Sequence, residues 1–325
     1  MLLLNEACIR RVLPLSDLIA SMEGALAQFS SRDAQQPLRT VMQVGRDRSW
    51  FGVMPAYLPA PEALGTKLVT VFAANSVRGL PTHMAAILLL DPETGAPLAL
   101  LDGRYITEAR TGAVSAVSAT YLGSDGDLAI VGSGVQARSH LAALALVRRI
   151  GEARVWSPTP EHRERFASES AGRLPFRVCA CASCEEAVLG ARLIVLATAS
   201  PTPVLMDQWV APGAHVMAVG ACRPDQREMD PKLVRRARLY VDSRVAAMAE
   251  SGDVLLSIAD GLIAEDHIVA ELGDLVLDAR CGRGSDDEVT IFKSLGMAVE
   301  DVAAAHLAYR RAIAEGLGEI FDLDA

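Results

Sequence analysis

Gly132, Gly134 and Ala137 form G-x-G-x-x-A, directly after the apolar run DLAIV (127–131) and directly before a stretch with helical character. That arrangement is suited to holding a pyrophosphate. The first glycine permits a tight turn, and the second lets backbone amides approach the phosphates. The small third residue lets helix pack close on strand, and the helix start faces the negative charge. Val135 and Gln136 lie inside the same expected cofactor contact. An acid at the end of the next strand would hydrogen-bond the ribose 2′-hydroxyl of NAD. Here the chain reads VWSPTPEHRER, with no carboxylate before Glu161. Ser157, Thr159 and Arg163 stand where a 2′-phosphate would lie, so NADP(H) is favoured and NAD(H) stays open. Thr198 closes RLIVLAT (192–198), a strand end of the kind that meets a cofactor ribose.

Three of the six cysteines crowd into CACASC, as Cys179, Cys181 and Cys184. The spacing lacks the paired knuckles of a structural zinc site, and no His-rich half follows. Partly buried, reduced thiols are the expectation. No motif requires a metal.

These groups need a frame, and the chain can supply one. Its 325 residues suffice for one large domain or two ordinary ones. Hydrophobic residues make up 51% and charged residues 22%, which excludes a disordered chain. A net charge of −9 argues against nucleic acid as the main partner. Apolar runs such as AAILLL (85–90) are too short to span a bilayer. MLLLNEACIRRVL places its arginines after its apolar residues, the wrong order for a signal peptide, so a cytoplasmic address is expected.

Residues 14–29 carry apolar groups at helical spacing, with Ser16 as the expected N-cap. Strand-like runs follow at 39–44, 49–58, 66–72, 84–91 and 97–103, then an Ala- and Ser-rich helix at 106–122. From Asp127 the pattern becomes strand–helix alternation. The runs 192–198 and 214–220 are near-continuously apolar, as parallel strands covered on both faces are. Residues 297–318 read as a strong helix.

Taken in order, PLRTV, FGVMPAYL, TKLVT, RGLPTH, EARTGAVSA, VGSGVQARSH, VGACRPDQREMD, ESGDVLLS and FKSLGMAVED resemble the ornithine cyclodeaminase/mu-crystallin family over nearly the whole chain. The wording is most similar to the mu-crystallin-like ketimine reductases. The resemblance implies an α/β protein with a Rossmann-type doubly wound domain over 121–302. It further implies an α+β substrate-binding and dimerisation domain over 1–120, with a C-terminal helix, 303–325, packing back on it. A homodimer is implied too.

By the same resemblance, Arg39, Lys67 and Arg110 match the positions that hold a substrate carboxylate. Cationic, fork-shaped donors suit that task, and fixing the carboxylate orients the reacting carbon. His83 lies in a stretch near the substrate, where it would protonate an imine nitrogen or tune Lys67. Thr82 and Thr111 flank that region and are expected at the nicotinamide or phosphates. Val219, Lys293 and Ser294 join the expected cofactor contacts. Cyclodeaminases of the family carry an aspartate where Cys222 stands and a carboxylate where Gly52 stands. A cysteine and a glycine cannot fill those charged roles, which favours reduction of a small cyclic ketimine carboxylate, Δ1-pyrroline-2-carboxylate or Δ1-piperideine-2-carboxylate. The alternatives are an ornithine cyclodeaminase, an NAD(P)-dependent amino-acid dehydrogenase and a non-catalytic NADP(H)-dependent binding protein.

Overall fold

The computed structural model describes residues 1–45, 49–278 and 282–323. They fall into two compact units, Met1–Arg110 with Met297–Ala325, and Thr111–Gly296. In chain order, β1 (Leu2–Leu4), α1 (Glu6–Val12) and α2 (Leu15–Ser30) come first. Then follow β2 (Thr40–Val44), β3 (Ser49–Pro59), β4 (Glu62–Val71), β5 (His83–Leu90) and β6 (Pro97–Asp102). Helix α3 (Gly103–Leu122) leads to β7 (Gly126–Val131), α4 (Val135–Val147), β8 (Ile150–Trp156), α5 (Pro160–Ser170) and β9 (Arg177–Ala180). Next come α6 (Cys184–Val188), β10 (Leu193–Leu196), β11 (His215–Ala218), α7 (Pro231–Arg236) and β12 (Arg238–Val241). The rest are α8 (Arg244–Glu250), α9 (Gly252–Ala259), β13 (Ile268–Glu271), α10 (Leu272–Leu277), β14 (Thr290–Lys293), α11 (Ala298–Glu315) and β15 (Glu319–Ile320).

The first unit is a seven-stranded sheet, β15-β1-β6-β5-β4-β3-β2, antiparallel except where β1 runs parallel to β6. Alternation along β3 and β4 turns Met54, Ala56 and Leu58, and Ala63, Gly65 and Lys67, into the interior. Helix α11 packs against β3, β4 and α2, burying a face rich in alanine. Its approach is close: a Cβ on Gly65 would lie 2.7 Å from the Leu88 carbonyl oxygen and 3.4 Å from Val302. The helix spans 298–315 rather than reaching the chain end, because Gly316 takes a left-handed φ of 64° that closes it. The last two residues of the expected 303–325 helix lie outside those described.

One local expectation is corrected. Ser16 does not cap α2; Pro14 takes the cap position, and its carbonyl accepts from the Asp17 and Leu18 amides at 3.2 and 3.1 Å. Proline's fixed φ suits the extended entry, which leaves Ser16 inside the first turn, its hydroxyl donating to Asp17.

The second unit is an eight-stranded parallel sheet, β13-β12-β14-β11-β10-β7-β8-β9. Strands β10, β11 and β14 are buried throughout, which explains the near-continuous apolar runs around β10 and β11, whereas β14 buries Thr290 and Lys293 at its two ends. The chain goes from β7 to β8 and β9 on one side, then returns to β10 on the other, so the switch point lies between β7 and β10. In register, Val131, Leu196, Ala218, Lys293 and Val241 form one row at the carboxyl ends of five strands.

Candidate functional site

Lys67 lies on the buried face of β4, only 2% exposed. Its Nζ is 2.6 Å from Oδ2 of Asp301, in the first turn of α11. Arg110, at the end of the first unit, donates through Nε to the other oxygen of Asp301 at 3.0 Å and through Nη1 to Glu300 at 2.7 Å. The Glu300 carboxylate also accepts from the Met297 amide at 3.2 Å, closing a capping box. Both acids therefore sit at the electropositive end of α11, where carboxylates are favoured.

The balance of burial and charge sets the protonation states. Burial pushes Lys67 down to about 8, with Arg110 and Arg39 adding to the fall and Asp301 opposing it. Asp301 is pushed up by its own burial, yet Lys67 and Arg110 together hold it below the ordinary aspartate range. His83, at the start of β5, is lowered to about 4 by burial and by the charges of Lys67 and Arg110, so it is neutral at pH 7. Arg39 is partly exposed just before β2, near enough to depress Lys67. The structure thus brings Arg39, Lys67, His83 and Arg110 into one electrostatic cluster. Among Lys67, Arg110, Arg39, Glu300 and Asp301 the formal charges leave one positive in excess, which matches a monoanionic carboxylate. Thr82 is exposed just before β5, and its carbonyl accepts from the Phe72 amide.

The second unit carries the glycine turn. Gly132 has φ +116°, and a Cβ there would overlap the carbonyl of Ala197 after β10. That glycine serves the close packing of the two strand ends. Gly134 differs: a Cβ there meets nothing within 4 Å, so its surroundings are open. Ala137 is wholly buried, Val135 is exposed, and no side chain caps α4 at its start. The Gln136 side-chain oxygen is buried without a hydrogen-bond partner. An uncapped helix start, open space at the second glycine and a position at the switch point fit a dinucleotide pyrophosphate.

Ser157, 5% exposed, accepts through Oγ from Ser133 of the turn at 2.9 Å, and Arg163 donates to its carbonyl at 2.8 Å. Thr159 occupies the N-cap of α5 without bonding through its side chain to the helix. Thr198 and Val219 follow the ends of β10 and β11, and the Val219 amide donates to Leu196. Thr111 is buried in α3. Lys293 is fully buried, with Nζ 3.4 Å from Asp253, and the Ser294 hydroxyl donates to Asp242 at 3.2 Å. The acids Glu300, Asp301, Glu228, Asp242 and Asp253 went unremarked in the sequence. A signal existed for Asp301: on a helix it shares a face with Ala298, Ala305 and Ala308, where an acid has no place unless paired.

Among the described residues, no group of three or more His, Cys, Asp or Glu side chains comes together as a metal site would need. The Cys184 thiol donates to the Val204 carbonyl, and burial pushes it up to about 12. No described helix is long and apolar enough to cross a membrane.

A doubly wound unit with a glycine turn at its switch point, joined in one chain to a unit that buries a cluster of paired cations and acids, is the architecture of a class of dinucleotide-dependent enzymes. Within that class the chain belongs to the ornithine cyclodeaminase/mu-crystallin family, whose sequence profile matches residues 1–316. It is 48% identical over 297 residues to the ketimine reductase mu-crystallin of Rattus norvegicus, covering 90% of this chain and 91% of that one. The Δ1-pyrroline-2-carboxylate reductase of Thermococcus litoralis, solved with NADH and L-proline, superposes with a TM-score of 0.95 at 38% identity, over 99% of this chain and 100% of that one. An archaeal alanine dehydrogenase dimer with bound NAD superposes with a TM-score of 0.93 at 30% identity, over 99% of each chain.

Proposed function

We propose that the protein is an NAD(P)H-dependent imine reductase that converts a small cyclic ketimine carboxylate, Δ1-pyrroline-2-carboxylate or Δ1-piperideine-2-carboxylate, into the cyclic L-amino acid. The observation that carries this reading is the buried ion-pair cluster of Lys67 and Arg110 with Glu300 and Asp301, charge-balanced in itself, to which Arg39 adds one positive charge. Arg110 and Arg39 offer planar forks to the substrate carboxylate, and Glu300 and Asp301 hold Arg110 in place before substrate arrives. When bound, a reduced nicotinamide supplies hydride to the C=N carbon. That carbon accepts hydride well only as the iminium, so the site must keep a proton on the nitrogen. Lys67, titrating near 8, is protonated at neutral pH and close enough to its switching point to share that proton. His83 is neutral there, so it serves as a hydrogen-bonding neighbour rather than as the acid.

Cofactor would be held by Gly132, Gly134, Val135, Gln136 and Ala137, with Thr82, Thr111, Thr198, Val219, Lys293 and Ser294 as further contacts. With Ser157, Thr159 and Arg163 after β8 and no acid among them, NADP(H) is favoured and NAD(H) accepted. The unit built from Met1–Arg110 and Met297–Ala325 would bind substrate and dimerise; the unit Thr111–Gly296 would bind the dinucleotide. Leu68, Met84 and Leu100 lie exposed on the open face of the first unit's sheet, and a second copy covering them gives the homodimer, in keeping with the alanine dehydrogenase dimer. The address would be cytoplasmic and the role one in proline or pipecolate metabolism. Cyclodeamination is disfavoured at Gly52, where even a Cβ would lie 3.0 Å from Val69.

The test is oxidation of NADPH and NADH with Δ1-pyrroline-2-carboxylate, beside L-ornithine with catalytic NAD. Turnover of the imine that disappears in Lys67→Ala is the expected result. Ammonia from ornithine without imine reduction would overturn it.

A further inference from the structure

Glu228 is a fully buried carboxylate in the loop between β11 and α7. One oxygen accepts from the Thr198 amide at 2.9 Å and the Thr198 hydroxyl at 2.7 Å; the other accepts from the Gly220 and Ala221 amides, both at 2.8 Å. All four donors come from the segments leaving β10 and β11, at the carboxyl edge of the sheet. The residue itself is pinned from behind. Its amide donates to Asp253 at 2.9 Å, and its carbonyl accepts from Val204 and Leu205. Asp253 in turn faces the buried Lys293. Gly220 is required for this approach, since a Cβ there would overlap both the Glu228 carboxylate and the Thr198 carbonyl.

An ionised carboxylate buried this deeply is costly unless its lone pairs are filled, and here they are filled by backbone and hydroxyl groups of two loops. In an open parallel sheet those loops line the crevice outside the carboxyl ends of the strands. The turn after β7 takes the pyrophosphate, and the strand next to it on one side, β8, takes the adenosine ribose. Strands β10 and β11 lie on the other side, which leaves them for the nicotinamide half. We infer that Glu228 is a positioning residue for the reaction: it clamps the Thr198 and Gly220–Ala221 loops into the shape that receives the nicotinamide half of the cofactor, while leaving the adenosine half untouched. The inference rests on the dinucleotide reading above.

The test is Glu228→Gln. The amide keeps the size but turns one acceptor into a donor facing either Thr198 or the Gly220 and Ala221 amides. NADH and NADPH affinities, read by nicotinamide fluorescence, should weaken at least about tenfold. AMP and 2′,5′-ADP, titrated as competitors that occupy only the adenosine half, should bind within about twofold of wild type. Equal weakening of all four ligands would overturn the inference, because the carboxylate would then merely keep the unit folded. Unchanged NADH and NADPH affinities would overturn it too. Wild-type protein that binds neither NADH nor NADPH would instead sink the functional reading, and the clamp with it. Should Glu228→Gln not fold, Glu228→Asp keeps the charge but withdraws the carboxylate from part of its four donors, and the same split between whole dinucleotide and adenosine half is expected at a few-fold.

Discussion

Asp301→Asn removes one negative charge from between two buried cations and leaves the shape of the side chain intact. In the wild type, Lys67 and Arg110 occupy the two oxygens of Asp301 at 2.6 and 3.0 Å. Lys67 already sits at about 8 instead of 10.5, so its charged form is disfavoured by roughly 3 kcal/mol relative to free lysine. Taking away one side of a buried pair costs about 3–5 kcal/mol if the orphaned charge stays. Lys67 has a cheaper exit, which is to release its proton. Losing even about 3 kcal/mol of attraction lowers its protonation constant by roughly a hundredfold. The sign follows: the ammonium is present below the folded value and lost as pH rises through it. In the wild type kcat/KM for imine reduction should therefore fall above about pH 8. In Asp301→Asn the descending limb should move below neutrality, with activity about tenfold down at pH 7 and recovering towards pH 5. The assay is initial-rate NADH oxidation across pH 5 to 9.5, beside a thermal melt to confirm folding. A folded variant whose limb stays near pH 8 would refute the assignment of Lys67 as the titrating acid.

His83→Gln should leave the position of that limb unchanged, because His83, lowered to about 4, carries no charge across the range assayed; the same pH series checks it. The two glycines of the turn should separate cleanly. Gly134→Ala adds a methyl to open space at an ordinary φ of −82°, so urea unfolding should change by no more than about 0.5 kcal/mol while NADH binding weakens on the order of tenfold. Gly132→Ala combines φ +116° with overlap on Ala197, and should destabilise by roughly 3 kcal/mol or more in the same urea titration. Glu300→Gln weakens both the Arg110 contact and the α11 capping box, and should lower stability by about 1–3 kcal/mol in urea.

Much of this was legible in the residues. Strand–turn–helix around Gly132 and Gly134 follows from local rules, and so do the buried parallel strands, because their apolar runs lack alternation. Lys67 lies in the strand-like run 66–72, and the family resemblance singles it out. The acids that make Lys67 and Arg110 tolerable were harder to see, since pairing between residues far apart in the chain leaves no local pattern. Glu228 was masked for another reason: REMD looks like a solvated loop, and only folding brings Thr198 and Gly220 around it. Ser16 misled because a hydroxyl near a helix start usually caps, whereas Pro14 already fixes the entry.

The first unit is discontinuous, and that has a consequence for the order in which the molecule is made. Arg110 and Asp301 are 191 positions apart, with the whole second unit between them. At 5–20 residues per second, a nascent chain carries Lys67 and Arg110 for roughly 10–40 s before their counter-charges leave the ribosome. During that interval the sheet of β2 to β6 lacks α11, and its inward-facing lysine has nothing to neutralise it. The second unit can close by itself while the first waits. Docking of α11 is then the event that at once finishes a hydrophobic layer and brings Glu300 and Asp301 against Arg110 and Lys67, so these ion pairs form only after the second unit has been made.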